Sequence, residues 1–186
     1  MGFLRRFSGI AAIVAVTMSV AGVVRPHAQA GPRTASALLD AARITALEEE
    51  KSILVEFGAS WCGWCHRFDA FVQSPEVGPL MARHYVVLKF TVQERPEKRA
   101  LNTLGAQSLM DEWGGGRSGL PFYVFLSARG EKIAGSNAMS SGANIGYPAT
   151  PVEIQAFVRL LEQTAPRMSA DERAQIAQYL KDHAGK

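Results

Sequence analysis

The sequence predicts an α/β fold of three layers. A central mixed sheet of about four strands carries helices on both faces, with one additional helix at the C-terminal end. Three observations predict it. Two short apolar runs, Ile53–Phe57 and Tyr85–Val92, are separated by a helical segment. Strand–helix–strand order argues for a parallel pair joined by a crossover. A third run, Phe122–Leu126, is followed by a turn at Ala128–Gly130 and a weaker strand at Glu131–Ala134, which makes an antiparallel hairpin.

In chain order, Ser36–Lys51 carries Leu38, Leu39, Ala42 and Leu47 at helical spacing, with Ser36 as the expected N-cap. The buried strand Ile53–Phe57 follows. Gly58–Ser60 is a loop, and a helix runs from Cys62 to about Phe71 with Phe68 and Phe71 on one side. Ser74-Pro75 interrupts it before a helix at Glu76–His84, and Tyr85–Val92 is the second strand. Pro96–Trp113 reads as one or two helical segments. Residues 136–150 are rich in Gly, Ser, Asn and Pro and read as a long loop. Thr150-Pro151 opens a helix with Thr as cap and Pro in the first turn, ending near Pro166. Ser169 and Glu172 form a capping box at the head of the last helix, 169–183.

The first thirty residues read as a secretory signal. Arg5 and Arg6 give a basic start, an apolar run spans Ile10 to Val24, and Ala28-Gln29-Ala30 has the small-x-small pattern of a cleavage site after Ala30. The alternative is an uncleaved N-terminal anchor, for which the run is short. Residues 31–186 are then a single domain. The whole chain has a formal charge of +3, from 20 basic and 17 acidic residues. Arg5, Arg6 and Arg25 lie in the signal, which has no acid, so the remainder is electrically balanced. A nucleic-acid partner would need a basic face, and none is indicated. The expected compartment is the bacterial periplasm, with secretion or membrane anchoring as alternatives.

Both cysteines of the chain, Cys62 and Cys65, lie in Trp61-Cys-Gly-Trp-Cys-His66. A bridge across two residues closes too small a loop to constrain the unfolded chain much, so structural stapling is a poor reason for them. A helix N-terminus stabilises a thiolate. Cys62 lies where a loop gives way to a helix and is the expected exposed nucleophile. Cys65, one turn further in, is the expected shielded thiol that resolves a mixed disulfide at Cys62.

Glu56 lies within a strand that should be buried. A carboxyl group there is costly unless paired or used, and burial raises its pKa. It is therefore the expected proton acceptor for Cys65, the alternative being an edge position or a pair with Lys89. Pro121 opens the third strand, where a proline marks an edge or a special bond, cis or trans.

ILVEFGASWCGWC resembles the strand and active-site segment of the thioredoxin superfamily, and GLPFYVFLSARGE resembles its cis-proline strand and hairpin. The resemblance covers roughly Ser36 to Gly135. It implies a thioredoxin-like fold and thiol–disulfide exchange, with Cys62 as nucleophile, Cys65 as resolving cysteine and Glu56 as buried acid. It places Pro121 as a cis-proline facing the disulfide and Trp61 as the tryptophan before the site. Leu120 and Gly63 join Trp61 and Trp64 as expected substrate-contacting residues. Gly63-Trp64 replaces the Gly-Pro of thioredoxin, and His66 replaces its usual Lys. The long loop 136–150 and helix 169–183 are additional.

Cys62-Gly-Trp-Cys65-His66 also matches a haem attachment site. His66 would then be the proximal ligand, and Met81, Met110, Met139 or Met168 could supply a distal one. Against this, the motif follows a buried strand closely and is succeeded by two more strands and Pro121, a context that does not suit it. Zinc on Cys62, Cys65 and His66 would need a fourth ligand, with only His84 and His183 as distant candidates.

The resulting expectation is an exported, monomeric protein-disulfide reductase that cycles Cys62 and Cys65 without a bound cofactor or metal. It would act on protein disulfides and thiols and draw electrons from a membrane donor. The alternatives are an oxidising or isomerising disulfide protein, and a c-type haem electron carrier.

Overall fold

A computed structural model describes Gly2 and residues 34–184. The signal-peptide reading of residues 1–30 lies outside the described residues, apart from Gly2. The described chain runs α1 (Ala35–Glu48), β1 (Ser52–Gly58), α2 (Gly63–Gln73), α3 (Gly78–His84), β2 (Tyr85–Thr91), a 3₁₀ turn (Pro96–Leu101), α4 (Ala106–Glu112), β3 (Phe122–Leu126), β4 (Lys132–Gly135), α5 (Pro151–Thr164) and α6 (Ala170–His183).

The sheet order is β2-β1-β3-β4. β1 pairs with β2 in parallel, through the α2–α3 crossover, and with β3 antiparallel. The β3–β4 hairpin turns at Ser127–Gly130, where Gly130 adopts φ 87°, a conformation open to glycine. The predicted thioredoxin-like architecture is the one observed.

Alternation along β1 divides the core. Ile53, Val55 and Phe57 face α1 and α4, with Phe90, Phe122 and Val124 beside them. Leu54 faces the other side with Tyr123, Phe125, Phe68, Phe157 and the C-terminal helices. Glu56, two residues after Leu54, points to that same side, so a carboxyl group is delivered into an apolar layer under α2.

Both ends of α1 differ from the sequence reading. Helix α1 is capped by Thr34, whose hydroxyl accepts from the Ala37 N–H, not by Ser36. Ala35 N–H donates to Leu104 O, which ties the first turn to the chain ahead of α4. Helix α1 also stops at Glu48, because Glu50 takes φ 52° and turns the chain toward β1. Its buried face is Ala35, Ala42 and Ala46, while Leu47 is 54% exposed. Of the one or two helical segments read over 96–113, two form: the 3₁₀ turn ends at Asn102, and Gly105 at φ 83° opens α4. The cap at Thr150 and the capping box at Ser169 are formed with both partners in place.

Candidate redox site

Cys62 is the N-cap of α2. Its Sγ accepts the Cys65 N–H at 3.1 Å, and its carbonyl accepts the His66 N–H at 3.2 Å. The unpaired donors of the first turn thus converge on Cys62, the arrangement that favours negative charge on its sulfur. Cys62 and Cys65 are joined in a disulfide. Cys62 retains 5% of its surface and Cys65 none, with Ala59 and Leu120 packed beside them. Cys62 is far less exposed than its position in sequence suggested, because Leu120 packs against the disulfide.

The loop before Cys62 is held from a second direction. Glu94, just after β2, accepts the Ser60 N–H on Oε1 at 2.5 Å and the Ser60 hydroxyl on Oε2 at 2.8 Å. The Ser60 carbonyl lies 2.9 Å from His66 Nε2. Trp61 donates its indole N–H to the carbonyl of Gln93, which sits at φ 53°. The Ser60 N–H holds the Glu94 carboxyl below the usual carboxylate range. Three polar atoms of Ser60 and the neighbouring indole therefore fix the loop that leads to Cys62.

Glu56 is 1% exposed, and its Oε1 has no hydrogen-bond partner. Burial pushes its pKa up to about 8, and the nearby carboxylate of Asp69 adds to the rise. Lys89 stands directly opposite Glu56 in the β1–β2 register, but its ammonium bonds Asp69 instead. The buried acid is thus neither at an edge nor salt-bridged to Lys89. Around Gly58, a Cβ would meet Cys65 Sγ at 3.3 Å and Glu56 Oε1 at 3.4 Å, so thiol sulfur and carboxyl oxygen border one small space.

The Leu120–Pro121 peptide bond is cis. The long loop packs against this segment. Asn144 donates its amide to Gly119 O at 2.7 Å and Pro121 O at 3.0 Å, and Ile145 N–H bonds Ser136 O. Tyr147 in the same loop stacks on Trp64 at 6.0 Å between centroids, and Arg67 lies 4.8 Å over the Trp64 ring. Trp61 and Trp64 are each about half exposed. Trp64, Leu120, Asn144, Tyr147 and Glu153 line a cleft of about 610 Å³ beside the disulfide. Gly63 opens α2 with free space on its Cα.

The residues of the haem alternative are not gathered. His66 Nε2 is engaged by Ser60 O. Met81 and Met168 are buried on one side of the sheet with Met139 packed against them, and Met110 is buried on the other.

A family profile described as thioredoxin-like matches residues 34–128. The chain belongs to the thioredoxin-like family. The match takes in β1, the Cys62–Cys65 disulfide and β3. It stops before β4, loop 136–150 and the two C-terminal helices, so Tyr147 and Asn144 lie outside the matched segment while their partners Trp64, Gly119 and Pro121 lie within it. No curated protein matches the chain. Among solved structures, a disulphide isomerase from Xylella fastidiosa Temecula1 is similar at 19% identity, covering 85% of this chain and 95% of its own, with a TM-score of 0.48. A DsbH oxidoreductase is 23% identical over 64% of this chain and 81% of its own, TM-score 0.40. The oxidised C-terminal domain of Neisseria meningitidis DsbD is 24% identical over 56% and 84%, TM-score 0.36.

Sequence reasoning missed four residues of this site. Asp69 was accessible to it, since Cys65 and Asp69 are four apart on one helix and share a face. Tyr147 was a lone aromatic in a polar loop, a weak signal. Glu94 and Asn144 reach the site across 34 and 23 residues of chain, and no local pattern announces such bonds.

Proposed function

We propose that this protein is an exported reductase of protein disulfides, working by thiol–disulfide exchange at Cys62 and Cys65 with no bound cofactor. The observation that carries the reading is the disulfide between the helix-capping Cys62 and the fully buried Cys65, with the Glu56 carboxyl bordering the same space. The Cys62 thiolate attacks a substrate disulfide, whose distal sulfur leaves as a thiolate. Cys65 gives up its proton and attacks Cys62 Sγ, which releases the second substrate thiol and closes the disulfide. Trp61, Trp64, Leu120 and Gly63 contact the substrate, and Pro121 faces the disulfide. Electrons return from a membrane donor, and the protein acts as a monomer in the periplasm.

The test is insulin-disulfide reduction together with the reduction potential of the pair. Cys62→Ser should abolish reduction, and Cys65→Ser should accumulate mixed disulfides. A potential near about −270 mV supports a reductase, and one near about −120 mV assigns a disulfide donor or isomerase instead. A Soret band in the exported protein would overturn the cofactor-free reading.

A further inference from the structure

Three groups around Glu56 are arranged in a way that thiol–disulfide exchange by itself does not require. Glu56 Oε1 is unpartnered and borders the space at Gly58 shared with Cys65 Sγ. Asp69 is the carboxyl group that, after burial, acts on Glu56 to raise its pKa. Asp69 lies one helical turn beyond Cys65, with 19% of its side chain exposed, and is bonded to Lys89. Lys89 is itself 41% exposed and stands across from Glu56 in the sheet. The path runs from a thiol with no solvent access to a carboxylate that has some.

The charged groups acting on Glu56 are Asp69 from α2 and Lys89 from β2. Strand β3 contributes Tyr123, opposite Glu56 in register, whose fully buried hydroxyl is also unpartnered and neutral. A neighbouring carboxylate disfavours ionisation of Glu56 in addition to burial. Burial keeps the proton on Glu56, while the Asp69 carboxyl is ion-paired with Lys89. Glu56 alone, already protonated, could not accept a second proton. The pair can, if one arrives as the other departs.

We infer that Asp69 is the exit of a proton relay, in which the Cys65 proton enters Glu56 at Oε1 while the Glu56 proton passes to Asp69 and on to water. The inference rests on the exchange reading above. In a mixed disulfide at Cys62, the Cys65 S–H bond breaks toward Glu56 Oε1. The sulfur electron pair forms the bond to Cys62 Sγ, and the bond from Cys62 to the substrate sulfur breaks. That sulfur leaves as a thiolate with the bonding pair, so the substrate is reduced and the dithiol oxidised. Asp69 holds the displaced proton, releases it to solvent and regains its pair with Lys89. Asp69 acts through Glu56 and is a positioning and relay residue, not one that touches substrate.

The reduced protein with Ellman's disulfide separates the steps. The first released thionitrobenzoate reports attack by Cys62, and the second reports Cys65. Asp69→Asn combined with Lys89→Met, which keeps the freed ammonium from turning to Glu56, should slow the second phase about tenfold or more and leave the first within about twofold. Imidazole should accelerate the second phase of the variant and not of the wild type. Asp69→Glu should restore most of the rate. Equal slowing of both phases, no slowing, or no imidazole rescue would overturn the relay. Should the double variant not fold, Lys89→Met alone is expected to move the pH profile of the second phase upward, and an unmoved profile overturns the relay equally. A wild type that releases no second thionitrobenzoate defeats the exchange reading itself, a distinct outcome.

Discussion

Both carboxylate oxygens of Glu94 are bonded to Ser60, one to its backbone N–H and one to its hydroxyl, across 34 residues of chain. Ser60 is two residues from Cys62, so the position of Cys62 depends on an acid that follows β2. Charge-assisted bonds of this kind are stronger than neutral ones, and an N–H left without its partner is costly. Glu94→Ala should raise hydrogen exchange at the Ser60 amide about tenfold while leaving the sheet amides unchanged. The pKa of Glu94 is depressed in the folded state, so its contribution is present above the ordinary carboxylate range and is lost as pH falls through the lowered value. An Ser60 amide whose protection is independent of Glu94 would show that the loop is held by the Trp61 and His66 contacts alone.

Glu56 gives the opposite pH dependence. Its pKa is raised from 4.5 to about 8 by burial, so between those values the folded chain binds a proton that the unfolded chain does not. Stability therefore is fully present below the unfolded value and falls as pH rises through the folded one. Glu56→Gln removes the titration. The oxidised variant should match wild type near about pH 4 and exceed it by on the order of a few kcal/mol near about pH 9. Urea unfolding at the two pH values measures this. Parallel wild-type and variant curves would mean that Glu56 ionises as readily in the fold as outside it.

Gly58 tests whether the space between thiol and carboxyl matters. A methyl there would meet Cys65 Cβ at 3.2 Å and Sγ at 3.3 Å, closer than side chains usually approach. The backbone does not require glycine at this position, so the consequence of Gly58→Ala is steric. It should cost about 1–3 kcal/mol in urea unfolding of the oxidised protein. It should also slow the Cys65 step more than the Cys62 step. Full stability with an unimpaired second step would show that the space at Gly58 is readily remodelled.

What the sequence revealed of this site, and what it did not, divides by range. The placement of Cys62, Cys65 and Glu56 was legible because a strand, a turn and a helix start lie within ten residues of one another. Strand Phe122–Leu126 was legible to the residue, since five consecutive apolar residues bounded by Pro121 and the Ala128–Gly130 turn leave little choice. The end of α1 was not, because Lys51 suits a helix in composition and only the left-handed turn at Glu50 stops it. The partners of Ser60 and of the Gly119–Pro121 carbonyls were invisible, being set by the packing of distant loops. Lys89 was weighed as the partner of Glu56. Its position opposite was foreseeable from strand pairing, while its capture by Asp69 required the helix to be placed.

Asn144 holds the long loop on the segment that precedes β3. Its amide bonds Gly119 O and Pro121 O, and its Oδ1 accepts the Gly146 N–H at 3.2 Å. Asn144→Ala leaves the partly buried Pro121 carbonyl without that donor, a loss of about 1–2 kcal/mol. The wall of the cleft formed by Tyr147 should then loosen from Trp64. Reduction of insulin should weaken several-fold in kcat/KM, while the reaction with Ellman's disulfide, which needs no cleft, stays within about twofold. An equal effect on both would place the loop in the chemistry of the cysteines and not in the grip on a polypeptide.

The last helix is integral to the domain and not an appendage. Ile176 and Leu180 of α6 are fully buried in the layer that contains Phe68, Phe71 and Phe157, and Tyr179 packs on Phe71 at 5.8 Å. The helix is fixed at its start by the Ser169–Glu172 capping box, and Glu172 also meets Arg83 and His84 of α3. Helix α2, which presents the cysteines, shares this layer through Phe68 and Phe71. Ile176→Ala removes buried methylenes from this packed layer. It should cost about 2–5 kcal/mol in urea unfolding. Ser169→Ala, which touches only the cap, should cost about 1 kcal/mol. Because α2 and α6 belong to one core, the Ile176 variant should unfold in a single transition at lower urea, with near-ultraviolet and far-ultraviolet signals coincident. Two separated transitions would show instead that α6 melts alone and that the disulfide is supported without it.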